Sequence, residues 1–150
     1  MASIQNIDEY GKDEHFTPKE VFTALNCIFD MDVCGNSKAF VPARYIIELP
    51  QDGLSTEWKG LVWMNPPYSS PSEWIAKFME HNNGIALVPV SRGKWWDKVW
   101  ESDCVIIPSP YNFKFVRPDG ITRDVRFRTM LFALGQGKDI LGKSGLGKVR

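Results

Sequence analysis

Four apolar residues in a row, Leu61-Val62-Trp63-Met64, run straight into Asn65-Pro66-Pro67-Tyr68. A continuous apolar run lacks the alternation of a strand with one wet face, so it predicts a strand covered on both sides. The strand must stop at the double proline, because neither ring nitrogen can donate to a sheet ladder. Covering both faces of a sheet takes a layer of helices above and another below, which narrows the chain to α/β architectures. Residues 85–90 (IALVPV) repeat the pattern, and Val105-Ile106-Ile107 does so more briefly. Residues 31–34 and 44–49 are further strand candidates, the first running into Gly35-Asn36 and the second ending at Pro50.

The stretches between these runs have helical spacing. Thr17-Pro18-Lys19-Glu20 reads as a helix start, with Thr17 as N-cap, Pro18 at the first helical position and Glu20 closing a capping box. Val21, Phe22, Leu25, Ile28 and Phe29 follow at the period of one buried face. Ser70-Pro71-Ser72-Glu73 repeats the start signal, and Trp74, Ile75, Phe78 and Met79 form the next apolar stripe. Residues 95–100 read as a short helix whose Trp95, Trp96 and Trp100 are expected in the core rather than as a stacking platform. Residues 111–116, a Pro118-Asp119-Gly120 turn and residues 125–134 read as a β-hairpin. The expected fold is a compact, doubly wound, mainly parallel sheet of the Rossmann type with a C-terminal antiparallel hairpin at its edge. Ligands in such sheets sit at the carboxyl ends of the strands, where residues 32–36, Asp52 and residues 65–68 all fall.

With 150 residues, 43% of them hydrophobic, the chain is the size of one domain with an ample core. Residues 1–14 read as a polar lead-in, 15–135 as the domain and 136–150 as a flexible, basic, Gly-rich tail. Gly137-Lys138-Asp139-Ile140-Leu141-Gly142-Lys143-Ser144 in that tail has P-loop spacing, but too few residues follow to form the helix a phosphate site needs. No run approaches the roughly 18 apolar residues of a bilayer span, and the acidic N-terminus lacks a signal-peptide layout, so a cytoplasmic location is expected. Three cysteines without a C-x-x-C pair argue against a disulfide framework or structural zinc, and no metal is expected. Cys27 and Cys104 read as small buried hydrophobes.

Charge is unevenly spread. The formal net charge is zero, yet residues 111–150 carry nine Lys/Arg against three Asp. A basic end of this kind suits contact with a polyanion, the alternative being a solvated surface; Lys114, Arg123, Arg126 and Arg128 within it, and Arg92 and Lys94 after the strand at 85–90, are the candidates for phosphate contact.

Asn65-Pro66-Pro67-Tyr68 also carries a chemical reading. An exocyclic amine on a purine is a poor nucleophile because its lone pair is delocalised into the ring. A site that alkylates it must accept its N–H hydrogen bonds, which an Asn oxygen and a backbone carbonyl can do. Two prolines fix φ and aim that carbonyl in advance, and an aromatic ring beside it can stack on an extruded base. The alternative is an ordinary strand-ending turn, for which Asn-Pro and Pro-Pro are common.

His15-Phe16-Thr17-Pro18, Met31-Asp32-Val33-Cys34-Gly35-Asn36, Asp52-Gly53-Leu54, Trp58 and Asn65-Pro66-Pro67-Tyr68-Ser69 together resemble the phage-type Dam-like DNA N6-adenine methyltransferase family. The resemblance runs from about residue 13 to residue 135. It implies S-adenosylmethionine as cofactor, DNA as substrate and, for a phage-encoded chain, the host cytoplasm. It also implies that Phe16, Thr17 and Pro18 flank the methionine end of the cofactor. Asp32, Cys34, Gly35 and Asn36 would form the loop beneath it, with Asp32 near its amino group. Asp52 would accept from its adenine, Asn65 would border both cofactor and base, and Asn65, Pro66, Pro67 and Tyr68 would hold the target base. The cofactor loop lacks the usual second glycine, and no clear acid follows the second strand to grip the ribose: Glu48 is the nearest, the alternative being a solvent-facing strand residue. With no room for a separate target-recognition domain, site selectivity is expected to be weak. Other acceptors for the same tetrapeptide are N4 of cytosine and a protein glutamine amide. A non-catalytic DNA-binding module that keeps the fold is the alternative outside enzymes.

Overall fold

A computed structural model describes residues 16–90, 94–108 and 128–147, together with the backbone of 115–116 and 122–123. The elements in chain order are α1 (Lys19–Leu25), β1 (Phe29–Asp32), β2 (Ala43–Ile46), β3 (Val62–Met64), α2 (Ser72–His81), β4 (Gly84–Pro89), α3 (Lys94–Glu101), β5 (Val105–Pro108), β6 (Phe115–Val116), β7 (Thr122–Arg123), β8 (Thr129–Leu134) and α4 (Gly137–Gly142). Six strands form one sheet in the order β2-β1-β3-β4-β8-β5. Strands β2, β1, β3 and β4 pair in parallel, and β8 runs antiparallel to both β4 and β5.

Every residue of β3, β4 and β8 is buried, the pattern of strands covered on two faces. Two apolar clusters lie on opposite sides of the sheet. On one side Trp74, Ile75 and Phe78 of α2 and Trp95 and Val99 of α3 meet Val62, Met64 and Phe132. On the other, Val21, Phe22 and Leu25 of α1 and Leu141 of α4 meet Phe29, Trp63, Leu87 and Leu131. Edge-on aromatic pairs lock each layer, Phe78 on Phe132 with centroids 5.0 Å apart and Phe22 on Trp63 at 4.8 Å. Each fully buried side chain of this size contributes about 1.5–3 kcal/mol.

Several local expectations are revised. The first helix ends at Leu25, because Asn26 adopts the left-handed conformation and returns its N–H to the Phe22 carbonyl. Phe29, expected on the helix, instead opens β1 and is fully buried, whereas Ile28 is 58% exposed. Neither capping box forms: Pro18 and Pro71 hold the N-cap positions of α1 and α2 without a side-chain cap. Thr17 is buried, and its hydroxyl meets the Asn65 side chain just past β3. The expected edge hairpin is divided. β6 pairs with β7 in a separate two-stranded ribbon, while β8 is inserted between β4 and β5, inside the sheet. Its run Met130-Leu131-Phe132-Ala133-Leu134 is uniformly buried, and such a run belongs between two partners, not at an edge.

Residues beyond 136 are not uniformly loose either. α4 packs on β8 and β4 with Leu141 fully buried. The segment with P-loop spacing is therefore helix rather than phosphate cradle, and Lys143 pairs with Asp139 at 3.0 Å. Trp95 is buried as expected, but Trp100 is 44% exposed and stacks on half-buried Trp96 at 6.0 Å. Cys27 and Cys104 are half-buried rather than enclosed, and burial pushes both thiols upward in pKa. Among the described residues, no helix is long and apolar enough to cross a membrane.

Candidate functional site

Three neighbouring parallel strands end at one level. Asp32, the last residue of β1, is in register with Ile46 of β2 and with Trp63 of β3. The ladder continues just past the strands, with the Val33 N–H donating to the Trp63 carbonyl and the Gly35 N–H to the Ile47 carbonyl. The loops that follow therefore leave the sheet side by side, and they carry residues 33–39, 47–53 and 65–68. Between them lies a cleft of about 220 Å³.

Asp32 lines the cleft although it is only 2% exposed. The Cys34 N–H donates to its carboxylate, while Oδ1 has no hydrogen-bond partner. An unpartnered oxygen on a buried carboxylate is costly unless the group takes a proton or meets a cation. Burial accordingly pushes the Asp32 pKa up to about 7, against the Cys34 hydrogen bond and with further help from the nearby Glu48 charge. Gly35 is required beside it, since a Cβ there would lie 2.8 Å from Asp32 Oδ2 and would strike Ile46.

Glu48 belongs to this wall. Its Oε1 accepts the Ser37 N–H at 2.8 Å, tying the loop after β2 to the loop after β1. Asp52, Gln51, Leu49 and Trp74 also line the cleft, and no Lys, Arg or His is among its described lining residues. Asp52 is exposed and organises its own turn, accepting the Leu54 N–H at 3.0 Å on Oδ1 and the Ser55 hydroxyl at 3.2 Å on Oδ2. Gly53 sits so close to the Val33 carbonyl and the Trp74 ring that any side chain would collide.

Asn65 faces the same cleft from the end of β3. Its Nδ2 donates to the Thr17 hydroxyl at 3.5 Å, a long contact that joins the segment before α1 to the tetrapeptide. Pro67 also lines the cleft, and its carbonyl accepts the Ser70 N–H at 3.3 Å. Pro66 is buried. Tyr68 is placed differently from the base-stacking expectation. Its ring packs with the α1-side cluster and its hydroxyl donates to the Leu87 carbonyl at 3.4 Å, and the enclosure pushes its pKa well up.

Of the residues singled out for a cofactor, Phe16, Thr17, Asp32, Cys34, Gly35, Asn36, Asp52 and Asn65 line this one cleft, and Pro18 does not. Of those singled out for DNA, Arg92, Lys114 and Arg126 lie outside the described residues, as does the Arg123 side chain. Lys94 is exposed in the first turn of α3, and Arg128 is exposed just before β8. Gln51, Leu49 and Trp74 on this lining are not among the residues the sequence singles out for a cofactor, and Glu48 is there only as the nearest acid after the second strand. The signal for Glu48 was its place directly after the second strand of a parallel set.

Comparison with known proteins bears on what this cleft serves. A family model described as DNA N-6-adenine-methyltransferase (Dam) matches residues 5–117. A DNA N-6-adenine-methyltransferase of Haemophilus phage HP1 (strain HP1c1) is 31% identical over 65% of this chain and 62% of its own length. Another of Escherichia phage T1 is 30% identical over 61% of this chain and 42% of its own length. The chain thus spans less than two thirds of the length of either relative. No solved structure gives a significant match. The family model covers three quarters of the sequence, including every loop that borders the cleft, and the chain belongs to the DNA N-6-adenine-methyltransferase (Dam) family.

Proposed function

We propose that this chain methylates the N6 amino group of adenine in DNA, with S-adenosylmethionine bound in the cleft between Asp32 and Asn65. One observation carries the reading: Asp32, a buried carboxylate with one oxygen that has no partner, lines the same cleft as Asn65 and Pro67. The cofactor supplies an electrophilic methyl group on a positively charged sulfonium.

The lining suits such a molecule. Asp32, Glu48 and Asp52 put three carboxylates on a cleft whose described lining includes no basic side chain, which favours a ligand of net positive charge. Asp32 would accept from the ligand's ammonium, Glu48 would take the ribose hydroxyls, and Leu49, Ile47 and Trp74 would offer apolar walls to a purine. Asp52 takes the purine's amino group on lone pairs that its own turn leaves over, since a carboxylate has about four.

Asn65 holds the acceptor amine. Its carbonyl oxygen would accept an N–H of the target base, which concentrates electron density on the amine nitrogen, while its amide nitrogen makes the long contact to Thr17. The Pro66 carbonyl, fixed by the following ring, accepts the second N–H. No general base is needed before methyl transfer, because the proton leaves the methylated nitrogen afterwards. Tyr68 then supports the tetrapeptide from beneath through Leu87, and base stacking falls to it only if its ring leaves that position. Lys94, Arg128 and the basic residues Arg92, Lys114, Arg123 and Arg126 supply contacts to DNA phosphates.

Incubation of unmethylated DNA with methyl-tritiated S-adenosylmethionine, followed by nucleoside analysis, tests the proposal. Label in N6-methyl-2′-deoxyadenosine is expected. Label in N4-methylcytosine, label in protein alone, or none with a folded protein that binds the cofactor would each refute it.

A further inference from the structure

The turn that carries Asp52 is gripped from two sides by opposite charges. On the cleft side, the Leu54 N–H and the Ser55 hydroxyl donate to the Asp52 carboxylate, and the Thr56 hydroxyl donates to the Asp52 carbonyl at 2.7 Å. On the far side, Lys77 of α2 donates to the carbonyls of Gly53 at 3.1 Å, Leu54 at 2.8 Å and Thr56 at 2.6 Å. An ammonium has three N–H donors, and here all three are used by backbone. Its remaining side faces the Trp58 ring, with the centroid at 4.9 Å. Trp58 itself donates to the same Gly53 carbonyl at 2.8 Å. One helical turn further along α2, His81 Nε2 bonds the Gly60 carbonyl at 2.8 Å and closes the far end of the loop.

The turn is therefore polarised, with donors aimed inward at a carboxylate and carbonyls outward at an ammonium. Lys77 does not line the cleft, yet it binds three carbonyls of the turn that carries Asp52. We propose that Lys77 is a positioning residue: by anchoring the carbonyls of Gly53, Leu54 and Thr56 it fixes Asp52 on the cleft wall and so sets affinity for the cofactor. This rests on the cleft being the S-adenosylmethionine site. Arginine is a poor substitute, because a planar fork cannot serve three carbonyls converging on one point.

The test compares wild type, Lys77→Met and Lys77→Arg by calorimetry with S-adenosylhomocysteine and by amide hydrogen exchange. Lys77→Met keeps the stem over Trp58 and removes the charge. Its Kd should rise about 10-fold, the equivalent of about 1.4 kcal/mol. The Leu54 and Ser55 amides should exchange faster while those of β3 and β4 keep their protection. Methylation at saturating cofactor should stay within about two-fold of wild type, as expected when only ground-state binding is weakened. Lys77→Arg should fall between the two. Unchanged affinity in a folded Lys77→Met overturns the proposal, as does faster exchange throughout the sheet, which would mark a general loss of stability. Should Lys77→Met fail to fold, Lys77→Arg decides, and wild-type affinity and exchange in that variant overturn the assignment. Absence of binding by the wild type would instead remove the cofactor site itself.

Discussion

Replacing Asp32 with Asn isolates the cost of keeping a carboxylate in the cleft. The group is 2% exposed and its pKa is raised from 3.8 to about 7, chiefly by burial. Between those two values the folded chain holds a proton that the unfolded chain has released. The stability associated with this group is therefore complete below about pH 4, declines as pH rises, and is fully lost above pH 7. The rise from 3.8 to about 7 corresponds to at most about 4 kcal/mol. Asparagine keeps the shape and an oxygen to accept the Cys34 N–H, but it cannot ionise. The ligand-free Asp32→Asn variant should therefore be more stable than wild type by about 2–4 kcal/mol at pH 8, and by about 1 kcal/mol or less at pH 4.5. Urea unfolding at the two pH values reads this directly as a shift in midpoint with little change in slope. The same variant should bind S-adenosylmethionine far more weakly. A variant no more stable than wild type at pH 8, or equally stabilised at both pH values, would refute the reasoning.

Three further outcomes follow from the same geometry. Asn65→Ala should lower methyl transfer by about 10²–10³-fold, the usual loss for a preorganised hydrogen-bonding group, while calorimetry shows cofactor affinity within a few-fold of wild type. Tyr68→Phe should retain most of its activity and lose about 0.5–1.5 kcal/mol of stability in thermal or urea unfolding, because the hydroxyl is engaged by Leu87 rather than by substrate. Leu141→Ala should cost about 2–5 kcal/mol by the same unfolding assay, since that side chain fills the α1-side core; a cost near zero would mean that α4 does not dock.

The layering was legible because it rests on the hydrophobic effect acting on short, strongly patterned segments. Leu61-Val62-Trp63-Met64 and residues 85–90 announce strands covered on both faces, and Trp74, Ile75 and Phe78 announce the helix that covers them. The end of α1 was not legible in the same way. Phe29 satisfies helical spacing and strand burial equally well, and the decision falls to Asn26, one residue in a left-handed conformation. Strand order was also out of reach, because the apolar run of β8 shows that it is buried but not which strands flank it. The placement of Asp32, Asp52 and Asn65 on one cleft was readable, since parallel strands of similar length end at one level and their loops must meet. Lys77 was invisible: a lysine on an amphipathic helix looks solvated until the loop that wraps it is seen. Tyr68 shows the converse, an aromatic whose motif suggests an exposed ring but whose neighbours in space, Leu87 among them, draw it against the α1-side cluster.

The most direct measurement is a crystal structure of the protein with S-adenosylhomocysteine. The ligand's amino group should lie about 2.7–3.2 Å from Asp32 Oδ1, with its sulfur on the side of the cleft that Asn65 borders. A ligand bound outside the cleft, or one that leaves Asp32 Oδ1 without a partner, would contradict the account.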